Sequence, residues 1–160
     1  NYFKLCYQKL EEALQLFQQT QEWRPLEAVL FAIAAVCDVT RESQASSLSP
    51  ILFKLSSLPS QPSFIKFAII RIIGRFAKIV AELDEKFVIW CFKYILDEIY
   101  SQREENSVFT VNVAKEFGEL CEHAVDFFGN HIQLAQQIVG GCLQGIDKLK
   151  VRNIIQFNQN

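Results

Sequence analysis

The sequence predicts an all-α protein, a superhelix in which antiparallel helix pairs stack side by side. Apolar residues recur at helical rather than strand spacing from one end of the 160 residues to the other. One segment, Leu26 to Val39, is apolar almost all the way round and so calls for neighbours on several sides. Helix starts near Pro25, Ser63 and Val108 recur at a spacing of roughly forty residues.

The opening segment, Tyr2 to Gln19, sets Leu5, Leu10, Ala13, Leu14 and Phe17 on one stripe, with Lys9, Glu11, Glu12 and Gln15 on the other side. The polar run from Gln18 to Glu22 ends it. Pro25 suits the first turn of the next helix, because its missing N–H falls among donors that have no intrahelical partner there. From Leu26 to Val39 only Glu27 and Asp38 interrupt the apolar run, and its alanines let neighbours approach closely. The run is too short to cross a bilayer and carries charge at both ends, so it reads as a buried helix.

Thr40 to Ser49 reads as a polar connection, and Pro50 as the start of a short helix carrying Ile51, Leu52, Leu55 and Leu58. Pro59 and Pro62 bracket a break, since the residue before a proline is pushed out of the helical region. Ser63 to Leu83 is expected as one long helix. At about 100° per residue its Ile, Phe, Ala and Val share one wide arc, while Arg71, Arg75, Lys78 and Glu82 form a narrow polar stripe.

Asp84 stands where an N-cap belongs, ahead of a helix to about Tyr100 with Phe87, Trp90, Cys91, Tyr94, Ile95 and Ile99 inward. Ser101 to Asn106 is a charged turn. Ser107 caps the next helix, whose seam is Phe109, Val113, Phe117, Leu120, Cys121 and Ala124. A last helix, Asn130 to about Lys148, is expected after Gly129, loosened or broken at Gly140-Gly141.

The forty-residue period is that of a two-helix HEAT or armadillo unit, in which neither pair of helices buries both faces without stacking. It divides the chain, as one solenoid segment of a longer protein, into repeats at 22–60, 61–102 and 103–150. Residues 1–21 are then the last helix of a preceding repeat, and 151–160 a tail or the start of the next. An ordinary helical bundle accounts for amphipathic helices but not for this recurrence.

Half the residues are apolar, 21% are charged and 14 are Phe, a core-forming composition. A net charge of -2 offers no surplus of cations for phosphate, which argues against direct nucleic-acid binding. With no Met anywhere, Asn1 reads as an internal cut or a processed end, and the mixed start carries no secretory signal. Cys6, Cys37, Cys91, Cys121 and Cys142 are odd in number, widely spaced and set in apolar helical patterns. They read as free buried thiols of a reducing compartment.

Chemistry is hard to place. The glycines form no phosphate loop. Cys121 and His123 are two apart, hence on different sides of a helix, and His131 is the only other histidine. Neither a metal centre nor a Cys–His nucleophile pair is expected. Glu11-Glu12, Asp97-Glu98 and Glu104-Glu105 read as solvated acids on polar faces or in turns. The sequence therefore predicts no enzyme, no catalytic residue, no cofactor and no metal ligand. The candidate partner-binding residues are Arg71, Arg75 and Lys78, which either receive an acidic partner surface or form the wet edge of a buried helix. Trp23 and Trp90 are binding anchors or packing aromatics.

The run Glu22-Trp23-Arg24-Pro25-Leu26-Glu27-Ala28-Val29-Leu30-Phe31-Ala32-Ile33-Ala34-Ala35-Val36 resembles a recurrent segment of the importin-β superfamily, the karyopherins. It is most similar to the transportin-3 and importin-13 branch, where a W-x-x-x-E-A-x-L-F helix opens a HEAT repeat near mid-chain. Leu58-Pro59 resembles the Leu-Pro step ending the second helix there. Lys66 to Arg75 loosely matches an R-Y-x-x-x-x-x-G-R helix, and Ala114-Lys115-Glu116-Phe117 to Cys121 the helix of the following repeat. The resemblance spans Glu22 to about Lys148 and departs at Thr40 to Ser49 and after Phe128.

This resemblance implies a nucleocytoplasmic transport receptor that carries protein cargo under control of the Ran GTPase and meets Phe-Gly nucleoporins. It implies Arg/Ser-rich nuclear proteins as cargo, import as the direction, no membrane insertion, and residence in cytoplasm and nucleus, including the nuclear pore. No cargo-contact motif of the family maps onto a residue here. An exportin or bidirectional karyopherin is the alternative within the family. A HEAT-repeat scaffold subunit of a cytoplasmic complex unrelated to Ran is the alternative outside it.

Overall fold

Apolar side chains at steps of three and four close each helix onto its neighbours, and all the regular structure among the described residues is helical. A computed structural model describes residues 2–36, 45–58, 61–101 and 107–141. In order the helices are α1 (Tyr2–Thr20), α2 (Arg24–Ala35), α3 (Ala45–Ser56), α4 (Ser63–Arg75), α5 (Ala77–Ala81), α6 (Glu85–Ser101), α7 (Ser107–His123) and α8 (Val125–Asn130). Residues 132–141 form α9.

The helices lie in two layers. In one, α2 packs on α4, and α4 on α7. In the other, α1 packs on α3, and Phe53 of α3 meets Phe87 of α6 edge-on at 4.8 Å. Contacts of α1 with α2 and of α6 with α4 and α7 join the layers. One continuous apolar cluster runs between them from Phe3 to Ile138. The chain is an all-α helical repeat, as the periodicity predicts.

The inward face of α1 is Phe3, Cys6, Leu10 and Ala13. Leu5, expected on that stripe, is 53% exposed. It lies two residues from Phe3, about 200° around the helix, so the two cannot share a face. The helix stops where Gln21 turns into the left-handed region, φ 58°, its N–H still donating to the Phe17 carbonyl at 2.7 Å.

Pro25 occupies the first turn of α2. Leu26, Leu30, Ile33 and Ala34 are buried, whereas Ala28, Phe31, Ala32 and Ala35 face outward. The expected all-round burial is therefore corrected. Three of those four are alanines, which lose little by staying wet. The helix ends at Ala35 with Val36 as its C-cap, short of Val39; residues 37–44, Cys37 among them, lie outside the described residues.

Helix α3 starts at Ala45, so Pro50 lies in its interior instead of opening it. Leu48 is fully buried on the face of Ile51, Leu52 and Leu55, and its burial favours winding the chain earlier than the proline alone would suggest. Similarly, the expected single helix from Ser63 to Leu83 is broken at Phe76 (φ -106°, ψ 23°) into α4 and α5. A matching bend at Ala124 (φ -96°, ψ 19°) separates α7 from α8. Both hinge residues are buried, and the backbone bonds Phe76 N–H to Ile72 O and Ala124 N–H to Leu120 O, each 3.0 Å, persist through the bends.

Asp84 caps α6, its carboxylate accepting from the Lys86 N–H at 3.3 Å. Within α6, Phe87, Cys91 and Ile95 are buried as expected, together with Val88, Phe92 and Glu98. In α7, Val113, Phe117, Leu120 and the following Ala124 form the seam, with Cys121 half-buried. Gly129 lies inside α8 instead of ahead of the last helix, and the chain turns at His131. The expected break at Gly140-Gly141 is not seen up to residue 141, which is still helical.

Gln21 offers a direct test of the turn after α1. A β-branched side chain is poorly tolerated at positive φ, so Gln21→Val should lower stability by about 1–2 kcal/mol. Gln21→Gly should not, and urea unfolding of both variants checks the difference.

Candidate partner-binding surface

Helix α4 is flanked by α2 and α7 and presents its remaining edge outward. Ile65, Ile69, Ile70, Ile72 and Ile73 fill the buried sides. The outward edge carries Arg71 and Arg75, and α5 continues it with Lys78. The structure treats the three candidates differently. Arg75 and Lys78 are exposed, whereas Arg71 is half-buried. The Arg71 guanidinium sits over the Phe31 ring of α2, 5.7 Å from its centre, a cation–π arrangement that also shades that otherwise exposed aromatic.

On the α7 side the stripe borders an acid. Glu116 is only 8% exposed. Burial pushes its carboxyl above the usual range, and the charges of Arg75, Lys115 and Arg71 pull partly the other way. This carboxylate lies against Gly74, where a Cβ would stand 2.6 Å from the Glu116 Cβ and 2.8 Å from its Cα. Gly74 is thus where α7 closes onto α4. Arg71 covers Phe31, while the charges of Arg75 first, then Lys115 and Arg71, act on Glu116. The exposed Arg75, Lys78 and Lys115 make the outer edge of this layer basic.

The other layer offers aromatic surface. Phe87, Trp90 and Tyr94 follow one another along α6 with ring centres 5.3 and 5.0 Å apart, and Phe53 extends the ladder from α3. Trp90 and Tyr94 are half-buried, and Phe53 is 45% exposed. The Tyr94 hydroxyl donates to the Gln61 side-chain oxygen at 2.9 Å, and burial, then the Glu98 charge, push its phenol up. Trp23 sits at the α1–α2 corner with its ring 3.7 Å from that of Phe17. Between α1 and α3 a groove of about 390 Å³ is lined by Glu11, Leu14, Phe17, Gln18, Lys54 and Leu58. Glu11 and Lys54 approach to 3.8 Å at its rim.

One acid expected to be solvated is not. Glu98 is 2% exposed and accepts from the Lys66 ammonium at 3.0 Å, tying α6 to α4. Its neighbour Asp97 is exposed, and Glu104-Glu105 lie outside the described residues. Sequence reasoning also missed Glu116 and the aromatic ladder. Signals existed for both: Glu116 stands three residues after Val113 on the α7 seam, and Phe87, Trp90 and Tyr94 recur at helical steps.

Of the cysteines, Cys6 and Cys91 are buried free thiols, pushed up chiefly by burial, and Cys121 is half-buried. Cys142 lies outside the described residues. His123 is exposed. Among the described residues no three His, Cys, Asp or Glu side chains converge as a metal site would need. No helix there is long and apolar enough to cross a membrane.

A stretch of 76 residues, 47% of the chain, is 33% identical to Transportin MOS14 of Arabidopsis thaliana. The similarity is to a karyopherin. The match spans 8% of that relative's length. No family model matches the chain, and no solved structure matches it.

Two variants separate the close approach at Gly74 from ordinary helix preference. Gly74→Val should cost about 2–3 kcal/mol, because the added atoms meet the α7 backbone. Gly118→Ala, at an exposed helical glycine with open space around it, should instead gain about 0.5–1 kcal/mol. Urea unfolding of the two measures both. For the Lys66–Glu98 pair, Lys66→Met should cost about 3 kcal/mol by leaving the buried carboxylate short of its cation. Lys66→Met combined with Glu98→Leu should recover most of that loss in a double-mutant cycle.

Proposed function

We propose that this chain is a HEAT-repeat segment of a nuclear transport receptor of the transportin-3 type, acting by binding proteins and not by catalysis. The observation that carries the reading is the 76-residue similarity to a transportin. Stacked helix pairs support it, since such a stack offers long outer and inner surfaces and weak coupling between units. The repeats are 22–60, 61–102 and 103–150, preceded by the last helix of an earlier one.

The receptor imports protein cargo, Arg/Ser-rich nuclear proteins among them, between cytoplasm and nucleus. It meets Phe-Gly nucleoporins at the pore and releases cargo when GTP-bound Ran binds. Release of that kind needs two arrangements of the stack with different affinities for cargo, a requirement that coupled repeats meet through small shifts at each joint. Arg75, Lys78 and Lys115 favour an acidic segment at this part of the receptor, so a basic cargo segment is met elsewhere along the stack.

Pull-down with the intact protein tests the reading, using Ran locked in its GTP state and an Arg/Ser-rich protein as cargo. GTP-dependent Ran binding that displaces cargo is expected. Strengthened cargo binding would make the protein an exporter, and no GTP-dependent binding would favour a scaffold unrelated to Ran.

A further inference from the structure

His131 stands at the corner between α8 and α9, one residue past the end of α8. Its Nδ1 lies 2.9 Å from the Phe127 carbonyl oxygen, and its Nε2 lies 2.9 Å from Oε1 of Glu85, in the first turn of α6. Both neighbours are pure acceptors at neutral pH: a peptide carbonyl never donates, and an ionised carboxylate has no proton to give. A neutral imidazole carries a single N–H and satisfies one of them, leaving a bare nitrogen against oxygen at the other. Only the doubly protonated ring donates to both.

The surroundings favour that charged form. The ring stacks on Phe127 with centres 4.2 Å apart and planes 11° from parallel, so a cation lies over an aromatic face. Phe127 in turn stacks near Phe92 of α6. The position follows a helix C-terminus, where a positive charge is favoured. Backbone bonds hold the corner on both sides, His131 N–H to Phe128 O and Ala135 N–H to His131 O, each 3.1 Å.

Other charges nearby do not supply the contact. On α6, the Asp84 carboxylate caps the Lys86 N–H, and Lys86 itself is exposed. On α8, Asp126 is exposed, as are Glu122 and His123 at the end of α7. Residues 132–141 of α9 carry no charged side chain. Glu85 is therefore the partner that reads the proton.

We propose that His131 is a proton-operated fastener between α6 and the α8–α9 corner, tied when its ring holds both protons and loosened when one leaves. The direction of the titration agrees: the Phe127 carbonyl first, and then Glu85, raise His131 above the ordinary value of 6.5. A group raised on folding contributes fully below its unfolded value, and the contribution fades as pH climbs through the folded one. The tie is therefore fully formed well below pH 6.5 and is lost as pH rises through the raised value above it. In the repeat division proposed above, α6 and the α8–α9 corner fall in successive units, so the proton sets how firmly one is held to the next.

The test is an NMR titration of the histidine rings in the whole chain, combined with amide hydrogen exchange at Phe128, His131 and Ala135 across the same pH range. Exchange is corrected for its intrinsic pH dependence and referred to amides of α4. His131 should titrate above 6.5, and protection of the corner amides should fall through that midpoint. Glu85→Gln should lower the midpoint and flatten the fall, and His131→Gln should abolish the pH dependence, with far-UV circular dichroism unchanged in both. The proposal is overturned if the wild-type ring titrates at or below 6.5, or if Glu85→Gln moves neither the midpoint nor the protection.

Discussion

The close packing of α4 between α2 and α7 is the constraint on which the rest of the structure depends. Five isoleucines of α4 are fully buried, each worth about 2 kcal/mol when removed from water. Their burial needs the helices near enough to interlock, and on the α7 side that distance is set by Gly74. Any side chain there would strike the backbone of Glu116. A single hydrogen in place of a Cβ thus decides how closely α7 meets α4, and through α4 helix α2 is held in the same layer.

From that packing follows the character of the outer edge. Since α4 is gripped on two sides, what it shows to water is narrow, and the basic residues there are pressed close to neighbouring helices. Arg71 is drawn into the seam by Phe31 on one side and by the Glu116 charge on the other. Arg75 is more exposed, yet its charge acts on Glu116 more strongly than that of Arg71, and Lys78 is exposed on α5. A basic stripe read from the sequence as one feature is therefore in part packing: Arg71 and Arg75 act on the buried Glu116, and Arg71 also covers Phe31. Mutating all three together would confuse folding with binding.

How much of this was legible depends on how far apart in sequence the deciding residues lie. The helices, their order and the all-α class follow from periodicity, a local property, and α2, α4 and α7 begin within about two residues of the expected starts. The bend at Phe76 was not legible, because no proline marks it. The start of α3 before Pro50 was hidden by a helix-breaking residue that tertiary burial of Leu48 overrides. Glu98 resembled any surface acid beside Asp97, since its cation is Lys66, thirty-two residues earlier. Leu5 is apolar yet exposed for a different reason: it lies about 200° around α1 from Phe3, so the two cannot share the buried face.

The two buried acids also fix how the helices slide. A seam made only of Ile, Leu and Val is satisfied almost equally well after a shift of one helical turn, because one branched aliphatic group fills another's place. A buried carboxylate is not so tolerant, since it is strongly disfavoured unless a cation or donor meets it. Glu98 finds Lys66 across the α4–α6 contact, and Glu116 lies within reach of the Arg71 and Arg75 charges across α4–α7. Each acid meets these partners in one register. Removing either would cost more in the uniqueness of the packing than in its gross stability.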